Sequence, residues 1–137
     1  MLSKKTKYGL KALIYIAKHS GSEPVLISEI SDNERIPKKF LEAILLDLKK
    51  FGLLGSKKGK GGGYYLLKDP KEITTATLIR VLDGPLAMLP CVSLNYYERC
   101  DDCPDEATCS LNKFLAQVRD NTLSLLQQKS LYDLIQL

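Results

Sequence analysis

The sequence predicts a mainly α chain: a winged helix-turn-helix with a two-stranded wing, followed by a long C-terminal helix. Three observations carry this. Two amphipathic segments meet at a polar turn between residues 27 and 51. A glycine-rich stretch, KKGKGGGYYL (57–66), follows between short apolar runs. The last third closes on a long amphipathic segment, 110–128.

Over 4–19, Leu10, Leu13, Ile14 and Ala17 recur at i, i+3, i+4 and i+7, the period of a helix with one buried stripe. The basic start mimics a secretion signal, but Lys11 interrupts the apolar stretch and no small-residue cleavage site follows. No apolar run approaches the roughly 20 residues of a membrane span. A cytoplasmic protein without a membrane partner is expected.

The next helix, 28–34, buries Ile27 and Ile30, with SDNER read as the polar turn after it. Pro37 is expected in the first turn of the following helix, 38–51, where its missing N–H costs nothing. Leu41, Ile44, Leu45 and Leu48 form that helix's apolar stripe, and Gly52 ends it. Two short helices across a tight turn make a helix-turn-helix. The opposite face carries Lys39, Glu42, Ala43, Leu46 and Lys50. Lysine near phosphate, glutamate accepting from cytosine and alanine against a thymine methyl are workable major-groove contacts. An ordinary solvated face is the alternative, and an outward Leu46 counts against it.

Leu53–Lys57 and Tyr64–Leu67 are the expected strands, and KGKGGG the tip. Glycine allows the positive φ of tight turns and lets backbone N–H groups approach phosphate. A Walker loop would need Lys-Ser/Thr and a helix after the last glycine, whereas two tyrosines follow here. The stretch is a wing. Lys38, Lys57, Lys58, Lys60, Gly61, Gly62 and Tyr64 complete the expected DNA surface. Charge agrees: residues 1–68 hold 14 Lys/Arg against 6 Asp/Glu, and residues 69–137 hold 6 against 10. A basic half suits a polyanion.

Asp69-Pro70 is a turn signal, 74–83 a helix, and DGPLAMLP a connector. The reading divides the chain into a DNA-binding domain, 1–83, and a cysteine-rich loop with its helix, 84–137. Along that helix Leu111, Leu115, Val118, Thr122 and Leu125 alternate spacings of four and three, a seam for packing on another helix. Cys91, Cys100, Cys103 and Cys109 all fall in one loop, so a shared site is economical. Thiolates of this kind serve an iron–sulfur cluster, a zinc ion or a thiol–disulfide switch. Glu98, Asp101, Asp102, Asp105 and Glu106 surround them and disfavour free thiolate. His19, the only histidine, is read as a helix C-terminal cap. With one histidine and no Ser/His/Asp constellation, an enzyme is not expected. An electron-carrying iron–sulfur protein would have no use for a basic winged helix.

YGLKALIYIA, FLEAILLDLKKFGLL, GKGGGYYL, ITTATLIRVLDGPL, the cysteine loop and SLYDLIQL together resemble the IscR/NsrR/CymR family of dimeric winged-helix transcription regulators. The resemblance implies a homodimer on a pseudo-palindromic operator, with the long C-terminal helix crossing to the partner, and a base-discriminating role for Glu42. It also implies an iron–sulfur cluster, 2Fe–2S or 4Fe–4S, on Cys91, Cys103 and Cys109. Cys100 is additional to that pattern and is a candidate for the fourth ligand. Asn112 stands where one branch supplies a histidine, and Lys7 where another supplies an aspartate.

Overall fold

The computed structural model describes residues 2–19, 21 and 23–137. Six helices and one two-stranded sheet follow in the order α1 (Lys4–His19), α2 (Ile27–Glu34), α3 (Lys38–Lys50), β1 (Leu54–Lys57), β2 (Gly63–Leu66), α4 (Thr75–Asp83), α5 (Ser110–Gln128) and α6 (Leu131–Gln136) among the described residues. The mainly α winged helix-turn-helix is therefore the fold. Three short 3-10 turns, Pro70–Glu72, Pro90–Val92 and Glu106–Thr108, punctuate the connections.

Helix α1 is the axis of the core. It packs on α2, α3, β2, α4 and α6, so its burial runs round much of the cylinder. Thr6, Gly9, Ala12, Leu13, Tyr15 and Ile16 are buried, while Leu10, Ile14 and Ala17 are only half-buried. The single stripe expected there is corrected by this central position. Gly9 lets α4 close in, since a Cβ at that site would lie 2.6 Å from a Leu82 methyl.

The turn between α2 and α3 lies later than SDNER. Helix α2 runs to Glu34, and Arg35 takes the left-handed conformation at φ 54°. The Ile36 N–H donates to Ser31 O at 3.1 Å and the Ser31 hydroxyl donates to Ile36 O at 2.7 Å. Polar residues whose side chains serve their own backbone can end a helix or occupy its last turn, which explains the misplaced boundary. Pro37 is correspondingly the cap of α3 rather than part of its first turn. At the far end, Gly52 N–H donates to Lys49 O and Leu53 N–H to Leu48 O. With Gly52 at φ 79° this is a Schellman closure, and buried Leu53 is its apolar partner.

After the cysteine loop, α5 ends and α6 returns to the N-terminal core. The Leu131 N–H donates to Ile73 O and the Thr75 N–H to Lys129 O, both at 2.8 Å, and Leu131 is fully buried. Ser130 and Asp133 form a reciprocal capping box at the start of α6.

Candidate nucleic-acid interface and cysteine pocket

Helix α3 separates its two faces completely. Leu41, Ile44, Leu45 and Leu48 have no exposed surface; each contributes about 1.5–3 kcal/mol by leaving water. Lys38, Lys39, Glu42, Ala43, Leu46 and Lys50 are all exposed, Leu46 by 47%. The angle of α3 is fixed from behind by α1. Lys5 pairs with Asp47 at 2.9 Å, and Tyr8 meets Phe40 edge-on at 5.6 Å. Lys11 holds α2 in the same way, bonding both the carbonyl and the carboxylate of Glu34. These cross-ties leave no local period in the sequence. Pro37 supplies no side-chain cap, so the first N–H groups of α3 remain available to an anion beside Lys38 and Lys39.

The wing follows without a break. Lys49 donates to Ser56 Oγ at 2.6 Å, tying α3 to β1. The strands pair Leu54 with Leu66 through Lys57 with Gly63, so residues 58–62 form the tip. Tip residues Gly59 and Gly61 have φ 85° and 75°, as the glycine run implies. Gly62 is buried and its N–H donates to Gly59 O at 3.0 Å, so it shapes the tip from within. Gly63 has φ 138°, and a Cβ there would collide with the Val25 carbonyl. That close approach lets Val25 and Tyr64 exchange two hydrogen bonds of 2.8 Å and add a bridge to the outside of β2. Tyr64 is half-buried against the core. Tyr65 points out over Gly55. Lys57, Lys58, Lys60 and Gly61 are exposed. Among the described residues, none of the six lysines on α3's outer face and the wing tip (Lys38, Lys39, Lys50, Lys57, Lys58, Lys60) has a carboxylate at ion-pair distance.

The cysteine loop is a different kind of object. Cys91 sits in the turn Pro90–Val92, and Arg119 of α5 pins that turn by donating to Val92 O at 2.7 Å. Cys109 caps α5, its sulfur accepting from the Asn112 N–H at 3.4 Å. Between these anchors, the Cys103 N–H donates to Cys100 O at 3.2 Å. Arg99 donates to the carbonyls of Cys103 and Pro104. All four cysteines are free thiols and half-buried. They line one cavity of about 340 Å³ with Asp102, Asp105, Glu106, Asn112, Leu89 and Leu111. A hydrogen bond with Cys91 raises the Cys100 thiol pKa, helped by partial burial and by Cys91, Asp102 and Cys103. Tyr97 donates to Glu106 at 2.6 Å, which raises the phenol pKa.

Among the described residues, no three His, Cys, Asp or Glu side chains are placed to hold one metal ion. The donor set nevertheless fits an iron–sulfur cluster: four soft thiols face one cavity, and a cluster spreads its thiolates over two or four irons rather than converging them on one centre. His19 is remote in role, stacked on Tyr15 at 4.1 Å with Nδ1 2.9 Å from Tyr15 O. This is the expected capping position.

Helix α5 buries only Leu115 in its own chain. Leu111 and Leu125 of the expected seam are 55% and 58% exposed, and Phe114 beside them 59%. Below, Leu10, Ile79, Leu125, Leu126, Leu134 and Leu137 line an apolar cavity of about 350 Å³. Among the described residues no helix is long and apolar enough to cross a membrane.

Residues 2–137 match the family described as Rrf2, iron-dependent transcriptional regulator. An rrf2-like HTH-type transcriptional regulator of Rhodobacter capsulatus is 43% identical over 138 residues, covering 98% of this chain and 92% of its own. The HTH-type transcriptional regulator IscR of Photorhabdus laumondii is 30% identical over 134 residues, covering 98% and 78%. Among solved structures, CymR, the global cysteine regulator of Bacillus subtilis, superposes with a TM-score of 0.80 at 30% identity, covering 99% and 96%.

Proposed function

The chain belongs to the Rrf2 family of transcriptional regulators, and we propose that it reads duplex DNA with the outer face of α3 and the wing while its cysteine loop senses iron–sulfur or redox status. Regulators of this family bind DNA, and the chain is a regulator rather than an enzyme. The observation that carries the reading is the set of six exposed lysines on α3 and the wing tip, none paired with a carboxylate among the described residues, with Glu42 and Leu46 on the same helix. Lysines at both ends of α3 and on the tip grip phosphates and set register. Glu42, Ala43 and Leu46 then face base edges. Gly61 lets the tip approach the backbone, while Gly62 and Tyr64 hold its shape.

Two copies are needed to read a pseudo-palindromic operator. The uncovered face of α5 (Leu111, Phe114, Leu125) supports a homodimer in which each α5 lies on its partner. Cys91, Cys103 and Cys109, with Cys100 beside them, would hold an iron–sulfur cluster, a redox-active group that oxidants damage. Because Cys91 and Cys109 are anchored to α5 by Arg119 and by the helix cap, any rearrangement of the loop bears on the proposed dimer helix. The placing of Cys91 and Cys100 in one cavity favours a second reading, a thiol–disulfide switch in a cytoplasmic regulator of the same fold.

The test of DNA reading is a salt titration of duplex affinity. Replacing Lys57, Lys58 and Lys60 together by alanine should lower the slope of log K against log salt by roughly 0.9 for each phosphate that is no longer neutralised. An unchanged slope would remove the wing from the interface. Binding-site selection with Glu42→Ala should relax one base-pair position per half-site, by about 1–3 kcal/mol of discrimination; an identical motif would show that Glu42 reads nothing.

A further inference from the structure

The cysteine loop holds one thiol more than its two anchors and the Cys103 turn explain. Resting on the cluster reading above, we infer that Cys100 is the fourth cluster ligand, so that the loop of one protomer supplies a complete all-thiolate shell and takes no ligand from a second chain.

Position is the first argument. Cys100 lines the same cavity as the other three cysteines. The Cys103 N–H to Cys100 O bond turns the chain so that both side chains face the cavity. Arg99 stabilises this turn through the carbonyls of Cys103 and Pro104, at 3.1 and 3.4 Å.

The competing donors are harder or occupied. Asp102 also lines the cavity, but its carboxylate is a hard oxygen donor beside thiolate. Asp105 caps its own turn, accepting from the Ala107 N–H at 3.1 Å and from the Thr108 hydroxyl at 3.2 Å. Glu106 accepts from Tyr97. Asn112 offers a neutral amide, a hard and feeble donor beside thiolate. The only imidazole, His19, is stacked on Tyr15 in α1. A fourth thiolate in the cavity is therefore the strongest donor this chain has. Spacing points the same way. A single zinc draws its sulfurs to about 2.3 Å from one centre, and the loop has no such convergence among the described residues. Thiolates spread over the two or four irons of a cluster tolerate wider separation.

The experiment is anaerobic reconstitution of the full chain with ferrous iron and sulfide, comparing wild type with Cys100→Ala. Iron and sulfide per chain, the visible circular-dichroism spectrum and cluster lifetime in air are read, with far-ultraviolet dichroism as the folding check. Wild type should take up iron and sulfide. Cys100→Ala should fold normally, show a shifted spectrum and lose its cluster about tenfold faster or more, since even outer-shell changes at metal sites cost 10–100-fold. Because Cys100 is only half-buried, 2-mercaptoethanol should reach the vacated position and restore the wild-type spectrum. An unchanged spectrum and lifetime would overturn the assignment while leaving the cluster reading standing. So would an altered spectrum that the added thiol fails to restore, which would make Cys100 merely structural. Wild-type protein that binds neither iron nor sulfide would overturn both.

Discussion

The proposed DNA-reading head and the cysteine loop are built to opposite specifications. From α1 to α4 the chain spends its apolar residues on one core, and every turn that aims α3 or the wing is closed by hydrogen bonds. Between residues 84 and 112 only Val92 and Ser93 are buried. The loop is held by its two ends on α5 and by short turns within itself. A surface that must match a stiff duplex is best formed beforehand. A loop with the sensing role proposed above belongs at the low-stability end of the structure.

The comparison is sharpened first by damaging the head. Leu45→Ala removes a side chain with no exposed surface and should cost about 2–5 kcal/mol in urea denaturation. A loss below about 1 kcal/mol would mean that the core behind α3 is loose. Next is Gly63→Ala, which places a methyl against the Val25 carbonyl at φ 138°. It should cost about 1–3 kcal/mol and weaken DNA binding through the wing. Full stability together with full affinity would break the claim that the Val25 bridge sets the wing. At the base of the head, hydrogen bonds from Ser130 lower the pKa of Asp133. Its contribution is present above the unfolded carboxylate pKa and is lost as pH falls through the lower folded value. The stability gap between wild type and Asp133→Asn should thus be constant near neutrality and close in acid; a gap that widens in acid would contradict this. The smallest effect belongs to the loop. Tyr97→Phe deletes an exposed hydrogen bond to Glu106 and should leave the urea midpoint within error of wild type. A larger shift would show the loop to be as consolidated as the head.

Much of the head was legible because its signals are local. Gly52, the four apolar residues of α3 and the glycine tip each specify their element within a few residues. What escaped depends on distant partners. Val25 joins the wing as a single bridged residue, too short for a strand period. Helix α6 has six residues, below the length at which amphipathicity registers, although Ser130 and Asp133 carried its capping signature. The seam of α5 was visible as a period, yet its exposed members have no cover within the chain. For the loop, composition announced the four thiols. It gave no sign that Arg119 and Asn112 anchor them.

Amide hydrogen exchange, followed before and after anaerobic loading with ferrous iron and sulfide, tests the contrast most directly. In the unloaded protein, amides of α3 and the strands should exchange far more slowly than those between Cys91 and Cys109. Loading should slow the loop by an order of magnitude or more (about 1.4 kcal/mol per tenfold) and leave the interior of α3 unchanged. A loop already as protected as α3 before loading, or one that loading leaves untouched while iron and sulfide are bound, would contradict the account of a preformed reader joined to a ligand-ordered sensor.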